Sequence, residues 1–185
     1  LYMQPDFMNW RYGSRNANFE ADRTDVVGTV GLVFHGNPAA AGFVKHAVDL
    51  MESSLNVYGT PGSGRWYENP ACYYLHAMKC RANLAVHLAR HGIAHPTQWP
   101  RWKDVLRWGV LLLTPPCPQD YAVMRDGTND YDAAPKVRRV APIGDHARIG
   151  PWVPEHYALM SKLYRGKDDD FANMLLWAYQ VGGSD

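Results

Sequence analysis

The chain has 185 residues, of which 46% are hydrophobic and 12% aromatic, with 19 Lys and Arg against 18 Asp and Glu. That size and apolar content suit one domain with a sizeable core and exclude a disordered chain. A formal charge of +1 argues against a general nucleic-acid or membrane-surface binder.

The first residues, 2–23, are aromatic and polar without a sustained period, which predicts a loop. Its Trp10, Tyr12, Asn16 and Asn18 suit a sugar site, where aromatic faces stack on rings and amides supply directed contacts. A buried helix is expected over residues 21–34 from Val26, Val27, Val30, Leu32, Val33 and Phe34, with a glycine stop at Gly36. Asn37-Pro38 restarts the chain into a second helix over 38–58, and residues 59–64 form a flexible link.

The stretch Arg65-Trp66-Tyr67-Glu68-Asn69-Pro70 then runs into a third helix, 70–91, closed by Gly92 and apolar around most of its girth. Pro70 suits the first helical position and Asn69 the cap before it. Tyr73, His76, Lys79 or Cys80, Asn83 and His87 recur at spacings of three and four, so one polar stripe runs along this helix. Its first turn is expected to offer free amides and the positive dipole end to an anion, either a substrate carboxylate or a tyrosinate.

A fourth helix is expected over 99–113, stopped by Pro115-Pro116, and two last ones over 153–164 and 168–181 with Asp168 as N-cap. Between them lies a long irregular insertion, about 114–151, with two short strands and a basic run holding Arg138 and Arg139. The fold class is thus all-α, in successive antiparallel hairpins.

Three cysteines, Cys72, Cys80 and Cys117, specify neither a disulfide framework nor a zinc ribbon. His87, His91 and His95 are spaced like metal ligands, but Gly92 breaks the geometry, and no metal site is expected. No apolar run approaches a membrane span, and no phosphate loop or serine elbow is present. The start at Leu1-Tyr2-Met3 suggests a piece of a longer protein.

The string Trp66-Tyr67-Glu68-Asn69-Pro70 through Tyr73-Tyr74-Leu75-His76, with the helix ending Ala89-Arg90-His91-Gly92, resembles the catalytic region of heparinase II/III-like and alginate lyase-like polysaccharide lyases. Arg138-Arg139-Val140-Ala141-Pro142-Ile143-Gly144-Asp145-His146 and Leu175-Leu176-Trp177-Ala178-Tyr179 are similar to it as well. The resemblance implies a single α/α toroid, or a fragment of one, across residues 1–185, normally followed by a β-sandwich domain, in a periplasmic or secreted enzyme.

It also implies β-elimination on a uronic-acid polysaccharide: an Asn or His neutralises the carboxylate, and a Tyr moves the protons. Carried onto this chain, Tyr73 is the shuttle with Tyr74 as the competing assignment, Asn16 or Asn18 the carboxylate binder, and His76 and His146 the candidate imidazoles. The family's His after that Asn is replaced by Ala17. Trp10, Tyr12, Arg65, Trp66, Tyr67, Glu68, Arg138 and Arg139 would line the substrate. The partner is an acidic polysaccharide, with no nucleic acid or membrane. The chemistry calls for no cofactor, and a structural metal is left open. The rival expectations are a glycoside hydrolase using Glu68 with Asp145 or Glu155, and a non-catalytic carbohydrate-binding module.

Overall fold

The computed structural model describes residues 17–118, 136–141, 143 and 155–182. These residues form helices α1 (Ala17–Val33), α2 (Pro38–Tyr58), α3 (Leu75–Arg90), α4 (Pro100–Leu111), α5 (Glu155–Tyr164) and α6 (Asp169–Val181). Strands β1 (Cys117–Pro118) and β2 (Lys136–Val137) make one short antiparallel pair. The all-α class therefore holds. Among the described residues, no helix is long and apolar enough to cross a membrane.

Local chemistry explains where α2 and α6 begin. Asn37 Oδ1 accepts from the Ala39 amide at 3.0 Å ahead of Pro38, and Asp168 Oδ1 accepts from Phe171 at 3.2 Å. Each cap satisfies a donor that has no partner within its helix. The helix expected over 21–34 is present and ends within a residue of its expected stop, but its start and its burial differ. It starts at Ala17, four residues early, so Asn18 stands in its first turn instead of in a loop. It is not buried all round either: Val26 and Val33 face solvent.

What α1 buries is a stripe of small residues, Ala17, Ala21, Thr24, Gly28 and Gly31, spaced by four and three. That stripe lets α1 approach α3 closely, and a Cβ built at Gly28 would collide with Leu84 and come within 3.1 Å of the Ala47 Cβ. The two helices run in the same direction. Asn18 lies by Glu68, Asp22 by His76, and Gly28 by Leu84. α2 returns antiparallel to α1, and α5 and α6 fold back as a second hairpin whose link passes through Gly166.

α3 is the inner helix, with Leu75, Ala77, Met78, Ala82, Leu84, Ala85 and Leu88 buried. Arg81 is buried among them, with its guanidinium 5.1 Å from the Trp66 ring and its Nε donating to Ser54 Oγ at 3.3 Å. Burial lowers its pKa to about 10, against the opposing pull of Glu20, Cys80 and Glu68. On the far side, α5 packs His156 and Tyr157 against Tyr74.

Beyond α4 the chain enters the insertion, and its described arms are held together by Thr114 N–H donating to Arg139 O at 2.7 Å and Ala141 N–H to Leu112 O at 2.9 Å.

His156 makes a stability prediction. Its imidazole is buried 4.2 Å from the Tyr157 ring, and burial, aided by Lys79, holds its pKa down at about 3. The unfolded chain takes up a proton near pH 6.5 while the folded one stays neutral. This contribution is therefore complete above about pH 6.5 and declines toward pH 3, by up to about 1.4 kcal/mol per pH unit. Urea unfolding from pH 7 to 4.5 should show a steeper loss of stability for the parent than for His156→Phe.

Candidate functional site

The loop before α3 is a tight hairpin closed by an antiparallel bridge between Gly59 and Trp66. Gly64, at φ +68°, sits against the Asp104 carbonyl of α4, where any side chain would clash. Extended backbone sends neighbouring side chains to opposite sides. Trp66 therefore points inward, 1% exposed and 5.6 Å from the Tyr58 ring, while Tyr67 is 66% exposed. This corrects the expectation that both line the substrate: Trp66 is core, and Tyr67 and the exposed Arg65 are left at the surface.

Glu68 is likewise a structural group. Its carboxylate accepts from the backbone amides of Ala17 and Asn18, capping α1, and burial raises its pKa against those bonds. A hydrolase acid needs access to its substrate, and Glu68 is committed to the helix start. Glu155, the other described candidate, ion-pairs with Lys79 at 3.2 Å.

Residues Pro70–Tyr74 form a π-helical turn leading into α3. Asn69 Oδ1 accepts from the Ala71 amide at 2.9 Å and the Cys72 amide at 3.2 Å, and the Tyr74 amide donates to Asn69 O. The cap expected at Asn69 is present. The anion site expected from the same amides is not, because the cap occupies them.

Adjacent tyrosines then have opposite fates. Tyr73 is 37% exposed, whereas Tyr74 is sealed in the core. The Tyr74 hydroxyl donates to Val105 O at 3.2 Å and lies 3.4 Å from the Tyr157 hydroxyl, with Trp108 edge-on at 5.3 Å. Burial, reinforced by Tyr157, pushes its pKa well up. A phenol in that setting cannot reach a polymer, so the competing assignment of Tyr74 is withdrawn.

One turn further, His76 Nε2 lies 2.7 Å from Asp22 Oδ1 of α1. Cys80 Sγ, a turn beyond that, donates to the same oxygen at 3.4 Å and stands 3.8 Å from the same nitrogen. The carboxylate can only accept, so Nε2 carries the proton and Nδ1 is the basic nitrogen. Burial, with Asp22 beside it, pushes the Cys80 thiol up to about 12. These three groups are not a nucleophilic triad, in which the acid and the thiol would occupy different ring nitrogens.

Asp25 lies on the same face of α1, and its pKa is raised first by burial and further by Asp22, against His87. Asp22 was not found from the sequence. Its three-residue spacing from Asp25 lay within the helix expected over 21–34, but nothing in the sequence placed a partner opposite it.

The basic run plays a different part from the one expected. The Arg138 guanidinium donates to Thr114 O at 2.9 Å and lies 5.9 Å from the Trp177 ring, fastening the insertion to α6. Arg139 donates its amide to Thr114 Oγ1 at 3.1 Å. Asn18 is half-buried in α1. Trp10, Tyr12, Asn16 and His146, together with Asp145, lie outside the described residues. A groove of about 560 Å³ among Leu32, His35, Val44, Val48, His91 and Ile93 lies at the opposite end of α3 from Tyr73. His87 and His91 are exposed, as expected.

No protein-family model matches the chain, and neither a curated protein nor a solved structure does. The functional reading accordingly rests on the residues themselves.

The α1–α3 approach that brings Asp22 to His76 is testable with two glycines. Helix propensity favours alanine over glycine by about 1 kcal/mol at either position. At Gly42 of α2 nothing lies within 4 Å of an added Cβ, so Gly42→Ala should stabilise. At Gly28 the methyl meets Leu84 and Ala47 in a packed seam, and overpacking of about 1–3 kcal/mol should reverse the sign. Denaturant midpoints of the two variants check this.

Proposed function

We propose that this protein is a polysaccharide lyase that cleaves a uronic-acid-containing polymer by β-elimination, with Tyr73 as the proton shuttle. The observation that carries the proposal is the open phenol of Tyr73 at the start of α3, three residues before an imidazole fixed to a carboxylate at 2.7 Å. Tyr73 stands in the π-helical turn that leads into α3 and His76 in the first turn of α3 itself. A substrate reaching across this junction is assigned both groups.

In the reaction, the carbon next to the uronate carboxylate loses its proton to a base, and charge builds on the carboxylate as on an enolate. The bond from the neighbouring carbon to the glycosidic oxygen then breaks, a carbon–carbon double bond forms, and the leaving oxygen takes a proton. Tyr73 is assigned both transfers, and His76 stands beside it to stabilise the charged carboxylate. Asp22 orients His76. Arg65 and Tyr67, exposed on the loop ahead, supply the cation and the aromatic face for the polymer. Asn16, with Trp10 and Tyr12, belongs to the same proposal, as do the toroidal arrangement of the helical hairpins, the action on a polymer outside the cytoplasm and a chemistry without a required cofactor.

The experiment is a panel of uronate polymers followed by ultraviolet absorbance of the unsaturated product. At least one polymer should give a rising signal. Tyr73→Phe should then lower kcat by about 10²–10⁴ with little change in KM. Tyr74→Phe, once shown to be folded, should stay within a few-fold of the parent. A folded parent with no product on any polymer, or a fully active Tyr73→Phe, contradicts the proposal.

A further inference from the structure

The groups Asp22 Oδ1, His76 Nε2 and Cys80 Sγ lie within 4.8 Å of one another, two on one face of α3 and the third reaching across from α1. Their separations are 2.7, 3.4 and 3.8 Å. With metal–ligand bonds of about 2.0–2.3 Å, a tetrahedral zinc site spaces its N, O and S ligands by about 3.3–3.6 Å. The thiol already stands near that spacing from both partners. Only the Asp22–His76 pair must open, by about 0.6 Å, as its hydrogen bond is exchanged for two bonds to the ion.

We propose that Asp22, His76 and Cys80 bind a divalent transition-metal ion, zinc by preference, with the fourth position open to water or to a ligand. The donor set selects the metal: thiolate and imidazole are poor partners for calcium or magnesium and good ones for zinc. The setting favours a cation, since Asp25 adds a second carboxylate on the same face of α1. The side chains of His76 and Asp22 remain 35% and 46% exposed, so an ion and a fourth ligand have access. Arg81 and Lys79 flank the cluster on α3. Burial and Asp22 raise the Cys80 thiol against the smaller pull of Arg81, and Lys79 is paired with Glu155. Binding balances as follows: the thiol proton leaves to solvent, the imidazole proton moves from Nε2 to Nδ1, and the carboxylate enters already ionised.

This site stands on geometry alone and does not require the lyase reading. It also differs from the histidine series at 87, 91 and 95, which forms no such three-ligand cluster among the described residues.

Cobalt(II) titration of the metal-stripped chain tests it, because a cobalt–thiolate bond gives an ultraviolet charge-transfer band and four-coordinate cobalt gives intense visible bands. One equivalent should saturate both, and zinc should displace them. Cys80→Ser should abolish the charge-transfer band, and Asp22→Asn and His76→Gln should each weaken binding by tenfold or more, with helical circular dichroism retained. Cys72→Ser and Cys117→Ser should bind like the parent. Absence of a thiolate band in the folded parent overturns the proposal, as does a band that survives Cys80→Ser or disappears with Cys72→Ser. Because the readout is optical, its failure leaves the elimination assay untouched, and the reverse holds too.

Discussion

The contact on which the candidate site depends is the close seam between α1 and α3. An aspartate side chain is short, and Asp22 meets His76 at 2.7 Å where α1 turns small residues toward α3, with Gly28 directly against Leu84. The spacing of packed helices, about 8–10 Å, depends on the side chains at the contact. The glycine that admits Leu84 and the aspartate that holds the imidazole are two consequences of one packing choice. Beneath the seam, the buried Arg81 guanidinium stacks on Trp66 and feels the charges of Glu20 and Glu68, so the polar layer continues into the core.

The starts at Pro38, Pro70 and Asp169 were legible because they depend on side chains acting within four residues. Asn37-Pro38, Asn69-Pro70 and Asp168 each announce a cap, and each caps as expected. The start of α1 was hidden for a physical reason. Its buried residues before Val27 are only Ala and Thr, which carry little hydrophobic signal, while Val26 and Val33 draw attention to the face that points outward. Asp22 was missed as well, because periodicity within one helix does not say which residue of another helix stands opposite it.

The aromatic pairs show the same limit at single residues. Trp66 and Tyr67 are both plausible sugar platforms by composition, and so are Tyr73 and Tyr74 as proton shuttles. Only the bridge at Gly59 and the π-turn at Pro70–Tyr74 decide which member of each pair faces the core. The residues left on the outside, Tyr67 and Tyr73, flank the cap at Asn69 and lead to the Asp22–His76 pair. The elimination proposal and the metal proposal both draw on that run. In the first, His76 is a partner to Tyr73, and in the second it is one of three ligands. In the first Asp22 acts through His76, and in the second it binds the ion beside it.

A double-mutant cycle between Asp22→Asn and His76→Gln, read on the rate of unsaturated-product formation from a uronate polymer, tests that dependence most directly. Residues that work as one unit give strongly non-additive losses. The account predicts that Asp22→Asn slows the parent but changes the His76→Gln background by less than about twofold. Losses that simply multiply would mean that the two side chains act independently, and the seam between α1 and α3 would not be the basis of the site.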